Sequence, residues 1–144
     1  FVIVDGSPGI NNETISILES VDKVLIVTNP ELPAVTDALK TIRICESLSK
    51  KVIGVVVTKA NKDFDMTTSN IENLLGKKVL AIIPEERKVR EALVKKDIFI
   101  SLFPKNQVSV SYKKLAADLI NEKYFGEEEN FLTKFINNLK QRFT

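Results

Sequence analysis

The chain has 144 residues, 44% of them apolar, and a formal net charge of only +2. This length suits one domain, and the small charge with dispersed basic residues argues against nucleic-acid binding as the main activity. The chain has no His and one Cys, so zinc sites, Ser-His-Asp triads, Cys-His pairs and an internal disulfide are excluded.

The chain contains no apolar run of about 18 residues and no signal peptide, which predicts a cytoplasmic protein. Its first residue is Phe, inside an apolar run, so we expect a natural amino-terminal part to be missing. Cys45 lies between Ile44 and Leu48 in a helical pattern and is predicted to be a small buried thiol.

The opening residues 1–4 (FVIV) are typical of a strand buried on both faces of a parallel sheet. Gly6, Pro8 and Gly9 would end that strand sharply. Asp5 is therefore predicted at the carboxyl edge of the sheet, where it could hold Mg²⁺ beside nucleotide phosphates. The alternative is that Asp5 only caps the following loop.

Strands and helices alternate along the rest of the chain. Asn12 is predicted to cap the first helix, Gly76 to end a later helix in a left-handed conformation, and Pro84 to end the last strand. The predicted strands are 23–28, 52–58 and 79–83, and the predicted helices are 13–19, 34 to about 50, 67–75, 85–96 and 107–123. The apolar run 98–103 is placed along the core edge. This alternation predicts an α/β fold with a mostly parallel sheet flanked by helices, over a domain spanning residues 1–125.

Residues 126–144 depart from this alternation of strands and helices, with a Gly-Glu run followed by an amphipathic stretch. On a helix, its apolar side chains form one stripe flanked by basic residues, which favours a helix lying in the headgroup layer of an anionic membrane. The alternatives are a last helix packed on the domain, or a helix that binds a partner protein. The predicted membrane-binding residues are Phe131, Leu132, Lys134, Phe135, Ile136, Leu139, Lys140 and Phe143.

Four segments, in order, resemble the carboxyl-terminal half to two-thirds of a MinD-type ATPase, within the MinD/ParA group of P-loop proteins with a deviant Walker A motif. They are VIVDGSPGI at the start, VTNPELPAVTDALK from residue 27, VVVTKAN from residue 55, and Ile83-Pro84-Glu85-Glu86 with the residues after it. The tail also resembles the membrane-targeting helix of MinD proteins.

The resemblance implies binding of ATP and Mg²⁺. Asp5 matches the residue that holds the Mg²⁺ water shell, and the backbone N–H of Gly9 would face the γ-phosphate. The adenine pocket would include Thr58, Lys59 and Asn61, with Pro84 and Glu85 on its other wall.

Further roles implied by the resemblance lie around the loop at residues 29–33. Asn29 and Glu31 match a region near the nucleotide and the dimer face, and Asp37 matches a surface position used by a regulatory partner. The alternatives are that Asn29 only caps its helix, Pro84 only ends a strand, and Asp37 is a solvated charge.

The phosphate-binding loop of this family would lie upstream of Phe1, and no G-x-x-x-x-G-K-[ST] motif occurs in the chain. The chain alone is therefore predicted not to hydrolyse ATP. The intact protein is expected to be an ATPase that dimerises on ATP and binds the inner face of the cell membrane, pairing two tails for avidity. Such a protein would act in division-site or protein placement.

Two other functions remain open at this point. One is a ParA-like partitioning ATPase that uses DNA as its matrix, which the modest charge and the tail argue against. The other is a non-catalytic adaptor that keeps the sheet without nucleotide binding. The iron-sulfur members of the group are disfavoured, because they bridge a cluster with paired cysteines and Cys45 is alone.

Overall fold

The computed structural model describes residues 1–7, 9–61 and 66–124. Within these ranges three strands form one parallel sheet, namely β1 (Lys23–Thr28), β2 (Lys51–Ala60) and β3 (Val79–Pro84). The strand order is β1-β2-β3, with β2 in the centre. The predicted α/β class, with a parallel sheet flanked by helices, is confirmed.

The helices are α1 (Asn12–Ser20), α2 (Leu32–Ser47), α3 (Thr68–Leu75), α4 (Lys88–Lys95), α5 (Phe99–Leu102) and α6 (Gln107–Leu119). Helix α2 begins two residues before the predicted start, because Pro33 is tolerated in a first turn whose N–H groups lack helical partners. The apolar run 98–103 contains the short helix α5. Gly76 adopts the predicted left-handed conformation after α3, with φ of 62°.

One face of the sheet packs against α2 and α3. This core cluster is built from branched aliphatic side chains, because β-branched residues suit a pleated surface covered by helices. Ile42 of α2 is 1% exposed and belongs to this cluster. The other buried members are Ile26, Val35, Ala38, Val55, Val57, Ile71 and Leu75.

The opposite face packs mainly against α6, with Phe99 of α5 at the margin. Val56 of β2 and Ile83 of β3 meet Val108 and Leu115 of α6 in this second cluster. Helices on both faces explain why β2 reads as a nearly continuous apolar run. The predicted position of residues 98–103 along the core edge is confirmed for Phe99.

Gly54 allows β2 and β3 to approach closely. A Cβ atom at this position would overlap the side chain of Leu80 on β3. The register of β3 shifts at the same place, since Val55 pairs with Val79 while Val56 pairs with Ala81. Leu80 is therefore the extra residue, and it lies over Gly54.

The opening segment differs from its prediction. Residues 1–7 pair with no strand among the described residues, and Ile3 is 92% exposed. The predicted buried strand at residues 1–4 is therefore not formed in the structure described, and the predicted position of Asp5 at the edge of the sheet stays a prediction. The physical reason is that no described strand lies beside this segment to satisfy its backbone groups.

The first helix is capped by Asn11 and not by the predicted Asn12. The Asn11 side chain accepts a hydrogen bond from the backbone N–H of Thr14 at 2.8 Å. The Thr14 hydroxyl donates to the carbonyl oxygen of Gly9 at 3.0 Å. These bonds attach the opening turn to α1.

The predicted membrane-binding residues between 131 and 143 lie outside the described residues, so their membrane role stays a prediction. Within the described ranges, no helix has both the length and the apolar character needed to cross a bilayer.

Candidate functional site

The carboxyl ends of the three strands meet at one edge of the sheet, as parallel pairing requires. Residue 29 follows β1, residues 58–61 complete and follow β2, and residues 84–85 complete and follow β3. In open α/β sheets, ligands bind in the crevice outside this edge. We therefore take this edge as the candidate site.

Thr58 connects the ends of β1 and β2. Its hydroxyl lies 3.0 Å from Oδ1 of Asn29 and 3.3 Å from the carbonyl oxygen of Thr28. Donation to Oδ1 restrains the Asn29 side chain, whose amide oxygen accepts from the hydroxyl of the neighbouring strand. Asn29 is thus held by a neighbouring strand and does not cap α2, whose N-cap position is taken by Glu31.

The ends of β2 and β3 are joined by backbone contacts. Ala60 pairs with Pro84, and the backbone N–H of Glu85 donates to the carbonyl oxygen of Ala60 at 3.0 Å. Pro84 has no N–H to offer a ladder, so it suits the last position of a strand. Pro84 and Glu85 therefore lie beside the end of β2, and their role in an adenine pocket stays a prediction.

Lys59 occupies a bulge in β2. The register advances from Val57 opposite Ile82 to Ala60 opposite Pro84, so β2 carries one extra residue there. Lys59 has a φ of 55°, a left-handed backbone conformation that costs free energy for residues other than Gly. Bulges change the direction of nearby side chains and are common next to functional sites.

Two further predicted residues belong to the start of α2: Glu31 at its N-cap position, two residues after Asn29, and Asp37 within the helix. Glu31 is exposed at the N-cap position and makes no capping hydrogen bond with its side chain. Asp37 is exposed, and its carboxylate lies 2.8 Å from Nζ of Lys40. Asp37 is thus a surface charge with a partner on its own helix, which is compatible with both the partner-binding and the solvated interpretation.

Asp5 and Gly9 are not brought to the edge by pairing with any described strand. Gly9 has a φ of 86°, so its backbone adopts a conformation that favours glycine. The described residues contain no group of three His, Cys, Asp or Glu side chains that could hold a metal ion. The role of Asp5 at the Mg²⁺ water shell stays a prediction from the family resemblance.

Sequence reasoning missed Glu86, which ties the end of β3 to α6. Its carboxylate accepts from the backbone N–H of Lys88 at 3.0 Å and from the side-chain amide of Asn106 at 2.7 Å. Asn106 is itself the N-cap of α6, accepting from the backbone N–H of Val108. The Lys88 N–H and the Asn106 amide hold the pKa of the Glu86 carboxyl below its ordinary value. The N-cap could have been found from the sequence, but its pairing with Glu86 is a tertiary contact.

The comparisons with known proteins point to one family. The ParA family profile, described as NUBPL iron-transfer P-loop NTPase, matches residues 1–120. The ATP-binding protein MJ0547 of Methanocaldococcus jannaschii is 32% identical over 143 residues, which cover 96% of this chain and 54% of that protein.

Two further relatives differ in their named roles. The septum site-determining protein MinD of Thermotoga maritima is 28% identical, covering 85% of this chain and 47% of its own length. An iron-sulfur cluster carrier protein of Methanocaldococcus jannaschii is 29% identical, covering 90% of this chain and 48% of its own length. The chain thus spans about half the length of the relatives it matches.

Solved structures match the fold. The cell division ATPase MinD of Pyrococcus furiosus aligns with a TM-score of 0.75 at 24% identity, over 81% of this chain and 50% of that one. MinD of Pyrococcus horikoshii, solved with Mg-ADP, gives a TM-score of 0.74 at 22% identity, over 80% and 48%. A MinC:MinD complex from Aquifex aeolicus gives 0.73 at 27% identity, over 81% and 50%.

Proposed function

The chain belongs to the ParA family of P-loop NTPases, and we propose that the protein containing it is a MinD-type ATPase that acts in spatial regulation. Its activity would be a nucleotide switch: ATP closes a homodimer, the dimer binds an anionic membrane, and hydrolysis releases it. The proposal places the protein in the cytoplasm and at the inner face of the cell membrane. Division-site or protein placement is the process this cycle would serve.

The observation that carries the proposal is the convergence at the carboxyl edge. Asn29 and Thr58 are linked by a hydrogen bond, and Pro84 and Glu85 lie beside the end of β2. A nucleobase site combines apolar surface with a few placed polar groups. Pro84 offers apolar surface at this edge, and Asn29, Thr58 and Glu85 offer polar groups. We assign the base of ATP to this edge, with Lys59 and Asn61 completing the polar side.

The phosphates of ATP are assigned to residues outside this chain, since no P-loop motif occurs in it. Asp5 and Gly9 retain their assignment to the Mg²⁺ water shell and to the γ-phosphate from the family resemblance alone. The solved Pyrococcus horikoshii MinD, which is named as a complex with Mg-ADP, supports ATP and Mg²⁺ as ligands of the proposed intact protein.

The tail residues between 131 and 143 are proposed to bind the membrane. One amphipathic helix buries too little apolar surface for firm anchoring, so two tails on one dimer would bind far better. The named MinC:MinD complex supports a regulatory protein partner for the family fold, and Asp37 on α2 is our candidate contact. Its exposed carboxylate would give up the ion pair with Lys40 and contact the partner protein instead.

An iron-sulfur carrier is the second candidate, because a matched relative and the family description carry that role. Such carriers bind a cluster through cysteine thiolates. The single cysteine of this chain, Cys45, is buried against the core, and burial raises the pKa of its thiol. This chain therefore supplies no exposed thiolate, which favours the MinD-type proposal.

The base site is tested in the natural protein that contains residues 1–144, by measuring the Kd for ATP. Thr58→Val removes the hydroxyl that holds Asn29 and keeps the shape, so we expect the Kd to rise about three- to tenfold. Thr36→Val is the matched control, because its hydroxyl donates to a backbone oxygen on the exposed side of α2. Equal Kd values for the Thr58 variant and the wild type would contradict the assignment of the ATP base to this edge.

The proposed membrane binding by the tail is tested by sedimentation of the protein with anionic vesicles, in the presence of ATP and of ADP. Phe135→Asp places a charge in the apolar stripe and should abolish the ATP-dependent binding. If that variant sediments like the wild type, the tail is not the membrane-binding element. If the wild type transfers sulfur and iron to an apo-protein but never sediments, the carrier function replaces the proposed one.

A further inference from the structure

Helix α4 exposes large apolar side chains that the core does not use. Leu93 is 71% exposed and Val94 is 83% exposed. Ala92 of the same helix is 2% exposed and faces the rest of the domain. Because Ala92 faces inward, the opposite face of the helix carries Val94 and Arg90, with Leu93 beside them. Exposed aliphatic side chains grouped on one helix face mark an interaction surface more often than isolated ones do.

The turn after α4 carries a further exposed apolar side chain and a basic residue. Ile98 is also exposed and lies two residues after Lys96, the C-cap of α4, which has a φ of 53°. The backbone N–H of Asp97 donates to the carbonyl oxygen of Ala92 at 3.1 Å, which fixes the turn. We call Arg90, Leu93, Val94, Lys96 and Ile98 the α4 patch.

Basic charge surrounds these apolar side chains. Five of the twelve residues 87–98 are Lys or Arg, and two are acidic. Glu91 is paired with Lys95 at 2.7 Å, and the Asp97 carboxylate accepts from the backbone N–H of Ile98. In the described part of the chain, no acidic side chain forms an ion pair with Arg90 or Lys96. The patch therefore combines apolar side chains with uncompensated positive charge.

We infer that the α4 patch is a contact surface for an anionic lipid bilayer. Arg90 and Lys96 lie toward lipid phosphates, and Leu93, Val94 and Ile98 enter the boundary with the acyl chains. This surface belongs to the folded domain, so the inference goes beyond the proposed function, which gives membrane binding to the tail. It would orient the domain on the membrane surface.

The apolar members of the patch decide between a lipid and a nucleic acid. Both partners present phosphates, but single-stranded nucleic acids gain affinity from aromatic stacking, whereas branched aliphatic side chains gain it from acyl chains. The nearby aromatic rings are otherwise engaged: Phe99 packs on the core and Phe103 lies under the Lys88 ammonium at 5.3 Å. The patch therefore favours lipid.

The test uses the full 144-residue chain with one fluorescent label. V94C is labelled with an environment-sensitive fluorophore, because buried Cys45 leaves residue 94 as the reactive thiol. L32C is the matched control, since Leu32 is 60% exposed in the first turn of α2. F135C reports separately on the tail. Each protein is mixed with phosphatidylcholine vesicles, with vesicles containing about 30% phosphatidylserine, and with single-stranded and duplex DNA.

A blue shift at residue 94 with anionic vesicles only, and none at residue 32, is the expected result. A shift at residue 135 without one at 94 would overturn the α4 patch and leave the tail proposal standing. A shift at 94 with DNA alone would make the patch a nucleic-acid surface, and equal shifts at 94 and 32 would make the contact unspecific. No shift at residue 94 with either kind of vesicle would overturn the α4 patch, whatever residue 135 reports.

The charges are tested by vesicle partitioning of unlabelled variants. Arg90→Gln with Lys96→Gln should lower the partition coefficient on anionic vesicles about fivefold for each charge removed. Lys23→Gln with Lys51→Gln removes the same charge from the amino ends of β1 and β2 and is the control. An equal loss in both pairs would mean that net charge alone acts, which would overturn the patch. Leu93→Ser with Val94→Ser should lower partitioning about tenfold.

Discussion

Two segments of this chain have nearly the same apolar character and opposite surroundings. Residues 1–4 (FVIV) and residues 23–28 (KVLIVT) both predict a strand. In the structure Ile26 of β1 is 5% exposed, whereas the opening residues are exposed and unpaired with any described strand. The difference is the neighbour: β1 has β2 on one side and α2 on its face. An apolar run buries itself only where another element supplies hydrogen bonds and a packing surface.

The largest expected effect tests burial directly. Ile42→Ala on α2 removes three carbons from the core cluster and should cost about 2–5 kcal/mol of unfolding free energy. Ile3→Ala in the opening segment should change it by less than about 0.5 kcal/mol. Urea denaturation of both variants measures the contrast. Should Ile42→Ala fail to fold, Ile42→Val is expected to cost about 1 kcal/mol; equal costs at positions 3 and 42 would break the comparison.

A smaller effect tests the close approach of β2 and β3. Gly54→Ala should cost about 1–3 kcal/mol, because the added Cβ meets the Leu80 side chain. The double variant with Leu80→Ala should regain part of that loss, since the overlapping atoms are gone. Denaturation of the two single variants and the double variant forms a cycle. Purely additive losses would contradict the contact.

The next effect tests where the opening segment meets the fold. Asn11→Ala should cost about 1 kcal/mol, because the backbone N–H of Thr14 loses its cap. Asn12→Ala lies within α1 and is the control, with an expected change below about 0.5 kcal/mol. Thermal melts of both variants decide which Asn is the cap. A larger loss for Asn12→Ala would restore the prediction made from the sequence.

The smallest effect concerns Glu86 and pH. Its folded pKa is lowered by the Lys88 N–H and the Asn106 amide, so its stabilising contribution is present above the ordinary carboxyl pKa. That contribution is lost as the pH falls through the lowered folded pKa. The difference in melting temperature between the wild type and Glu86→Gln should therefore be largest near neutral pH and shrink in acid. A difference that grows in acid would mean that Glu86 is not held by these donors.

The parts of the candidate site that follow from strand order were predictable. Asn29, Thr58, Pro84 and Glu85 each end or follow a strand, and parallel strands bring such residues to one edge. The bulge at Lys59 was not predictable, because it depends on the register between β2 and β3. The hydrogen bond between the side chains of Glu86 and Asn106 joins residues twenty positions apart and was equally unpredictable from the sequence.

By itself, the sequence determined the α/β class, the three strands and the family, because hydrophobic periodicity and short motifs are local properties of the chain. Only the tertiary structure decided which apolar runs are buried, since burial depends on a neighbour that a run cannot specify. It placed Ile26 in the core, left residues 1–4 exposed, and left Leu93 and Val94 facing outward on α4. The same dependence on neighbours fixed the Thr58 hydroxyl on Asn29 at the candidate site.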